Sequence, residues 1–198
     1  MNQSQHDPVA EAALLEAYAG GDTAAAHSLA TRLTPLVYGH ACRMLNDPGE
    51  AEDVAQEAML RLWRHAPNWD ARGAASIRTW LYRVTANLCV DRLRKVRPDM
   101  LPEDHELVDD APSAEAQLQA KARRMALQDA LMQLPDRQRQ AVILRHLDGL
   151  GNPEIAQIMD IGPRAVESLT ARGKRALTAL LSGQRQNLGY TDDSIETS

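Results

Sequence analysis

The chain has 198 residues, 44% hydrophobic and 25% charged, with a formal net charge of −5. That length suits one domain or two small ones, able to bury cores without disulfide or metal staples. Two cysteines far apart exclude a disulfide framework, no stretch reaches the ~18 apolar residues of a membrane span, and the total charge argues against a uniformly basic surface.

Aromatics are only 4% and phenylalanine is absent, so the cores must be built from Leu, Ala, Val, Ile and Met. Ala and Leu are strong helix formers, and an all-α protein is expected. Cys42 and Cys89 each lie inside an apolar helical pattern and read as buried free thiols. The start, MNQSQHDP, lacks the basic stretch and apolar run of a signal peptide, so a cytoplasmic protein is expected.

Residues 1–21 read as a tail and a short helix, Val9–Tyr18, stopped by the doubled breaker Gly20-Gly21. Asp22 is a good N-cap for an alanine-rich helix. Thr34-Pro35 predicts a fresh helix start, running to Leu45 before the turn cluster Asn46-Asp47-Pro48-Gly49. Pro48–His65 is amphipathic, with Val54, Met59, Leu62 and Trp63 on the apolar side. Asp53, Gln56 and Glu57, at i, i+3 and i+4, share a polar face with Arg61. That face is either simply solvated or a docking face for a cationic helix.

Ala66–Ser76 is a loop holding Trp69, which serves as a core plug or as a platform for a base. It leads into Trp80–Arg97, where Trp80, Leu81, Val84, Leu88 and Leu93 recur at helical spacing. This helix carries the rings of Trp80 and Tyr82, the amide of Asn87, and a cationic end of Arg92, Arg94, Lys95 and Arg97. Rings that stack on bases and cations that neutralise phosphates equip a helix to hold single-stranded nucleic acid; an amphipathic core helix with a solvated basic end is the plainer alternative.

Asp99–Pro112 is acidic, has no Lys or Arg, and is punctuated by Pro98, Pro102 and Pro112. Residues 98–113 are therefore predicted to be a flexible, self-repelling linker between two small helical domains, 22–97 and 114–183. Setting these acids and Asp192, Asp193 and Glu196 of the tail aside leaves the helices around Arg83–Arg97 and Arg164–Arg185 locally basic, and charge asymmetry of this kind says more about partners than the total.

In the second domain, Ser113 is predicted to cap a helix with an apolar face of Leu118, Met125, Leu127, Leu131 and Leu134, and Pro135 begins another that ends at Asp148-Gly149. Asn152 is predicted to cap the short helix PEIAQIMD, and Pro163 opens a last helix closed by Gly183. Two helices joined by a tight turn, with Ala156 small where they cross and Ile155, Ile158, Ile161, Val166 and Leu169 as the small core, match a helix-turn-helix. The outer side of the second helix presents Arg164, Glu167, Ser168, Ala171, Arg172, Lys174 and Arg175, suited to a DNA major groove.

Taken together, AEDVAQEAMLRLWRH, RTWLYRVTANLCVDRLRK and LPDRQRQAVILRHLDGLGNPEIAQIMDIGPRAVESL resemble the extracytoplasmic-function (ECF) sigma factors of bacteria, over about Asp22–Leu181 without the linker. The resemblance implies that Asp53, Gln56, Glu57, Leu60 and Arg61 dock on core RNA polymerase. It implies that Trp69, Trp80, Tyr82, Arg83, Asn87, Arg92, Arg94 and Lys95 hold the single-stranded −10 promoter element, Asn87 at the position that helps bind a flipped base. Arg164, Glu167, Ser168, Arg172, Lys174 and Arg175 would meet the −35 duplex, and an anti-sigma factor would be a partner. Glu167 and Leu169 depart from the family's frequent basic residues, which puts the −35 sequence itself in question.

Two other readings remain: a sigma-like decoy that binds an anti-sigma factor without binding promoters, and a helix-turn-helix repressor. No catalytic role is expected. Glu50, Glu52, Asp53 and Glu57 come from one helix region with no histidine at a ligand spacing, and no phosphate loop or nucleophile motif appears, so neither metal nor cofactor is predicted.

Overall fold

The computed structural model describes residues 7–70, 73, 75–96 and 114–182. The expectations for the linker, Arg97, the Ser113 cap, Gly183 and the tail lie outside those residues. The described residues form helices and turns without strands. Helix α1, Pro8–Ala19, starts where the Asp7 carboxylate accepts the Val9 and Ala10 N–H groups. Helix α2, Thr23–Leu45, is capped in the same way by Asp22, and Asn46 ends it in the left-handed conformation. Helix α3, Pro48–His65, is capped by Asp47 and runs into a 3-10 turn, Ala66–Asn68. Helix α4 spans Ile77–Val96.

Pro35 does not start a helix; α2 runs straight through it. Leu29, Leu33, Val37 and Ala41, each four residues after the last, form one buried ridge, and a break at Pro35 would pull half of it from the core. Thr31 and Pro35 are both exposed, so water reaches the carbonyl that loses its partner. Burial of each large ridge side chain is worth roughly 1.5–3 kcal/mol, enough together to outweigh an interior proline's ~3 kcal/mol.

The second half comprises α5, Ala114–Met132; α6, Asp136–Val142, which widens into a π turn, Ile143–Leu147; α7, Asn152–Met159; and α8, Pro163–Ser182. The cap of α7 is Gly151 rather than Asn152, because the Glu154 carboxylate reaches back to accept the Gly151 N–H at 2.8 Å. Helices α7 and α8 make the expected helix-turn-helix, with Asp160 left-handed at the turn and Ile155, Ile158 and Val166 buried between them. Gly173 is buried where α8 crosses α6.

The two halves are packed together, which local sequence patterns did not reveal. One core joins Ala41, Met44, Val54 and Cys89 of the first half to Leu131, Leu134, Ile143 and Leu177 of the second. Another places Tyr82 and Ala86 of α4 against Ile155, Ile158 and Met159 of α7.

Candidate polymerase and nucleic-acid interfaces

Three surfaces carry the predicted residues. The first is the open groove between α3 and α4. Asp53, Gln56, Leu60 and Arg61 are exposed and Glu57 is half-buried along its α3 side. Leu88, Asp91, Arg92 and Lys95 of α4 form the opposite wall. Arg61 Nε donates to Glu57 Oε1 at 2.8 Å, and Gln56 Nε2 to Glu52 Oε1 at 3.3 Å. Arg92 pairs with Glu50 and lies 3.8 Å from Asp53. The helix pair is thus tied by an ion pair, and Asp53, 63% exposed, keeps its carboxylate largely toward solvent.

The second surface is the outer stripe of α4. Arg83, Asn87 and Arg94, at i, i+4 and i+11, share one exposed side, about three helical turns long. Above it stands an aromatic cluster that sequence reasoning found only in part. His65 stacks on Trp80 with centroids 5.3 Å apart and planes 2° apart, while Trp69 meets both rings edge-on, at 6.0 and 6.4 Å. The cluster ties the end of α3, the 3-10 turn and the start of α4 into one corner. The indole N–H of Trp69 is buried with no acceptor among the described residues. The start of α4 is fixed by Ser76, whose Oγ accepts the Thr79 N–H at 3.1 Å, and by Arg78, which grips buried Glu11 of α1 through Nε at 2.8 Å and Nη2 at 2.6 Å.

Three of the predicted −10 residues are placed elsewhere. Tyr82 is only 5% exposed, and burial together with nearby Asp148 pushes its hydroxyl pKa well above the ordinary range, so its ring packs in the core instead of facing a strand. Arg92 and Lys95 face the α3 groove, Arg92 drawn there by Glu50. The physical reason is helical: residues two apart point to nearly opposite sides, so Tyr82 cannot share a face with Trp80, nor Arg92 with Arg94.

The third surface is on α8. Val166, Gly173 and Leu177 are buried, which turns Arg164, Glu167, Ser168, Ala171, Arg172, Lys174 and Arg175 outward. Arg164, Ser168, Ala171 and Arg175, at i, i+4, i+7 and i+11, form the central stripe, flanked by Arg172 and Lys174. Arg172 Nε donates to the Ser168 carbonyl at 3.3 Å, which leaves the rest of its guanidinium free to reach outward. Among the described residues no cluster of His, Cys, Asp or Glu could hold a metal, and no helix is long and apolar enough to cross a membrane.

Residues 29–98 match the sigma-70 region 2 family and residues 124–177 match sigma-70 region 4. The ECF RNA polymerase sigma factor SigW of Bacillus subtilis is 32% identical over 152 residues, covering 71% of this chain and 80% of that protein. The chain belongs to the ECF sigma factors of the sigma-70 family. The RNA polymerase sigma-H factor of Pseudomonas aeruginosa is 31% identical, with 85% of this chain and 92% of that one covered. Among solved structures, CnrH in complex with the cytosolic domain of CnrY aligns with a TM-score of 0.68 at 23% identity, over 88% of this chain and 98% of that one. RpoE in complex with the anti-sigma factor NepR from Bartonella quintana aligns at 0.63 and 18%, over 79% and 96%. Both agree in fold. A sigma factor of this family is a transcription regulator, and promoter recognition with RNA polymerase is its role.

Proposed function

We propose that this ECF sigma factor docks on core RNA polymerase through the α3 groove, holds the unpaired −10 strand along the α4 stripe and reads the −35 duplex with α8. The observation that carries this division is the separation of three exposed surfaces of different chemistry on one small chain. The acids and amide of Asp53, Gln56 and Glu57 along the α3 wall of the groove suit a basic helix of a protein partner. A short cationic stripe under stacked rings suits a single strand, where aromatic stacking and phosphate neutralisation work together. A cationic stripe on the second helix of a helix-turn-helix suits a major groove.

Asn87, exposed between Arg83 and Arg94, would hydrogen-bond an extruded base. Extrusion costs a few kcal/mol, which the stripe and the rings beside it must return through stacking and hydrogen bonds. The polymerase supplies the chemistry of RNA synthesis, and this chain supplies position; both work in the bacterial cytoplasm. Each DNA-reading surface is small, so each binds weakly alone, and joining them on one polymerase raises their effective concentration. An anti-sigma factor is the proposed inhibitor, since RpoE, which shares this fold, was solved bound to one. Residues 22–97 and 114–183 are the proposed functional units, with residues 98–113 between them.

Run-off transcription with purified core polymerase on genomic fragments tests the reading. Discrete start sites that depend on this chain, preceded by a shared pair of upstream elements, support it. Transcripts indistinguishable from those of core enzyme alone would refute it, and repression of another sigma factor's transcripts would favour the repressor.

A further inference from the structure

The outward side of α8 is cationic except at one position. Glu167 is the only acid in Pro163–Ser182, and the same side carries Arg164, Arg172, Lys174 and Arg175. Glu167 is exposed and makes no ion pair among the described residues, not even with Arg164 three residues before it. The positions four residues away on either side hold Pro163 and Ala171, so no helical neighbour at that spacing can neutralise it. A solvated acid on a helix flank needs no purpose, but the location of this one sets the chemistry it meets.

In a helix-turn-helix the N-terminal residues of the second helix enter the major groove and contact base edges. Arg164, Glu167, Ser168 and Ala171 lie in the first part of α8, within about 11 Å along its axis at ~1.5 Å per residue. Lys174 and Arg175 lie a turn further on, where cations suit the phosphates at the rim of the groove. A carboxylate pressed into the groove gives up water and faces phosphates of its own sign, which is unfavourable unless a donor meets it.

An ionised carboxylate only accepts hydrogen bonds. Guanine shows the groove two acceptors, N7 and O6, and thymine shows an acceptor and a methyl group, so neither satisfies it. Only cytosine N4 and adenine N6 offer N–H groups there. On adenine the donor stands beside the N7 acceptor, which repels a second acceptor, whereas the edge beside cytosine N4 carries only a C–H. Cytosine is the match.

We infer that Glu167 determines specificity on the α8 surface: its carboxylate accepts from N4 of a cytosine and so selects a C·G pair at one position of the upstream element. The inference rests on the reading of α8 as the −35 reader and goes beyond it by naming a base. Glu167 weakens the general attraction of α8 for duplex and penalises guanine and thymine at this pair. A well-made base contact discriminates by about ten- to a hundredfold.

The test uses the full chain assembled with core polymerase on a promoter mapped with it. The upstream element is randomised, each template carries its own barcode in the transcribed region, and the transcripts are sequenced. With the wild-type chain, one position should favour cytosine on one strand by about tenfold or more over guanine and thymine. Glu167→Gln should move that position alone to adenine, because a glutamine amide accepts from N6 and donates to N7. Glu167→Lys should move it to guanine, whose N7 and O6 accept. Both variants should keep the wild-type Tm, since Glu167 is exposed.

The same base preference in the wild type and both variants would overturn the inference while leaving the −35 reading in place. So would a change in yield spread evenly over all positions, or a wild-type base other than cytosine at the position that shifts. Wild-type transcription indifferent to the upstream sequence would instead refute the −35 reading, and the inference with it.

Discussion

Gly173→Ala pits helix propensity against packing. In a helix interior alanine is favoured over glycine by about 1 kcal/mol, so propensity alone predicts a more stable protein. The structure predicts the reverse. A Cβ at position 173 would lie 2.5 Å from Cγ2 of Val142 and 3.2 Å from the Gln138 carbonyl oxygen, where carbon–carbon contact needs about 3.5–4.0 Å. Val142 is 3% exposed and β-branched, with one strongly preferred rotamer in a helix, so it cannot swing away. Helix α8 has to back off α6 by about 1 Å, and overpacking of this kind costs typically ~1–3 kcal/mol. With the clash near the upper end, the net loss is about 1–2 kcal/mol, a fall in Tm of roughly 2–8 °C for a chain of this size. Differential scanning calorimetry reads it directly. Val142→Ala, which removes the clashing methyl, should recover at least ~1 kcal/mol when combined with Gly173→Ala, beyond the sum of the single effects. A higher Tm for Gly173→Ala, or strict additivity in the pair, would refute the close approach of α6 and α8 that aims the proposed −35 stripe.

Asn87→Ala should slow promoter opening, read by permanganate reactivity of unpaired thymines, while leaving polymerase binding and Tm unchanged, because Asn87 is exposed. Arg172→Ala should weaken −35-dependent transcription by ~1–3 kcal/mol if it contacts a base, and equal activity on wild-type and scrambled −35 templates before and after the change would reject that role. Burial pushes the Cys89 thiol from an ordinary 9.0 up to about 12. The raised value favours the protonated folded state, so its contribution is complete below about pH 9 and is lost as pH rises from there toward 12, by an amount on the order of 4 kcal/mol. Chemical denaturation across that range should show Cys89→Ala with a shallower alkaline decline than wild type.

Much of the architecture was legible in short-range signals. Asp22 and Asp47 cap the helices they precede, the Asn46–Gly49 cluster separates α2 from α3, and Pro163 opens α8. Pro35 misled because proline statistics describe local cost, whereas the ridge from Leu29 to Ala41 is a tertiary gain. The α3 face was readable because Asp53, Gln56 and Glu57 recur at helical spacing. Grouping Tyr82 with Trp80, and Arg92 with Arg94, overlooked the near half-turn between residues two apart; a wheel of α4 separates Arg83, Asn87 and Arg94 from the others. The His65–Trp80 stack and the Asp148–His40 contact join residues far apart in the chain. No periodicity marks which helix face meets which, so these had to come from the structure.

Core polymerase binding tests the central claim most directly. Purified core enzyme and this chain, with no inhibitor present, should form a stable complex in analytical size exclusion and fluorescence anisotropy. Asp53→Arg with Gln56→Arg should weaken that complex tenfold or more, as expected when ~1.4 kcal/mol or more of charge complementarity is lost, without lowering Tm, since both residues are exposed. No association of the wild-type chain with core enzyme would contradict the account.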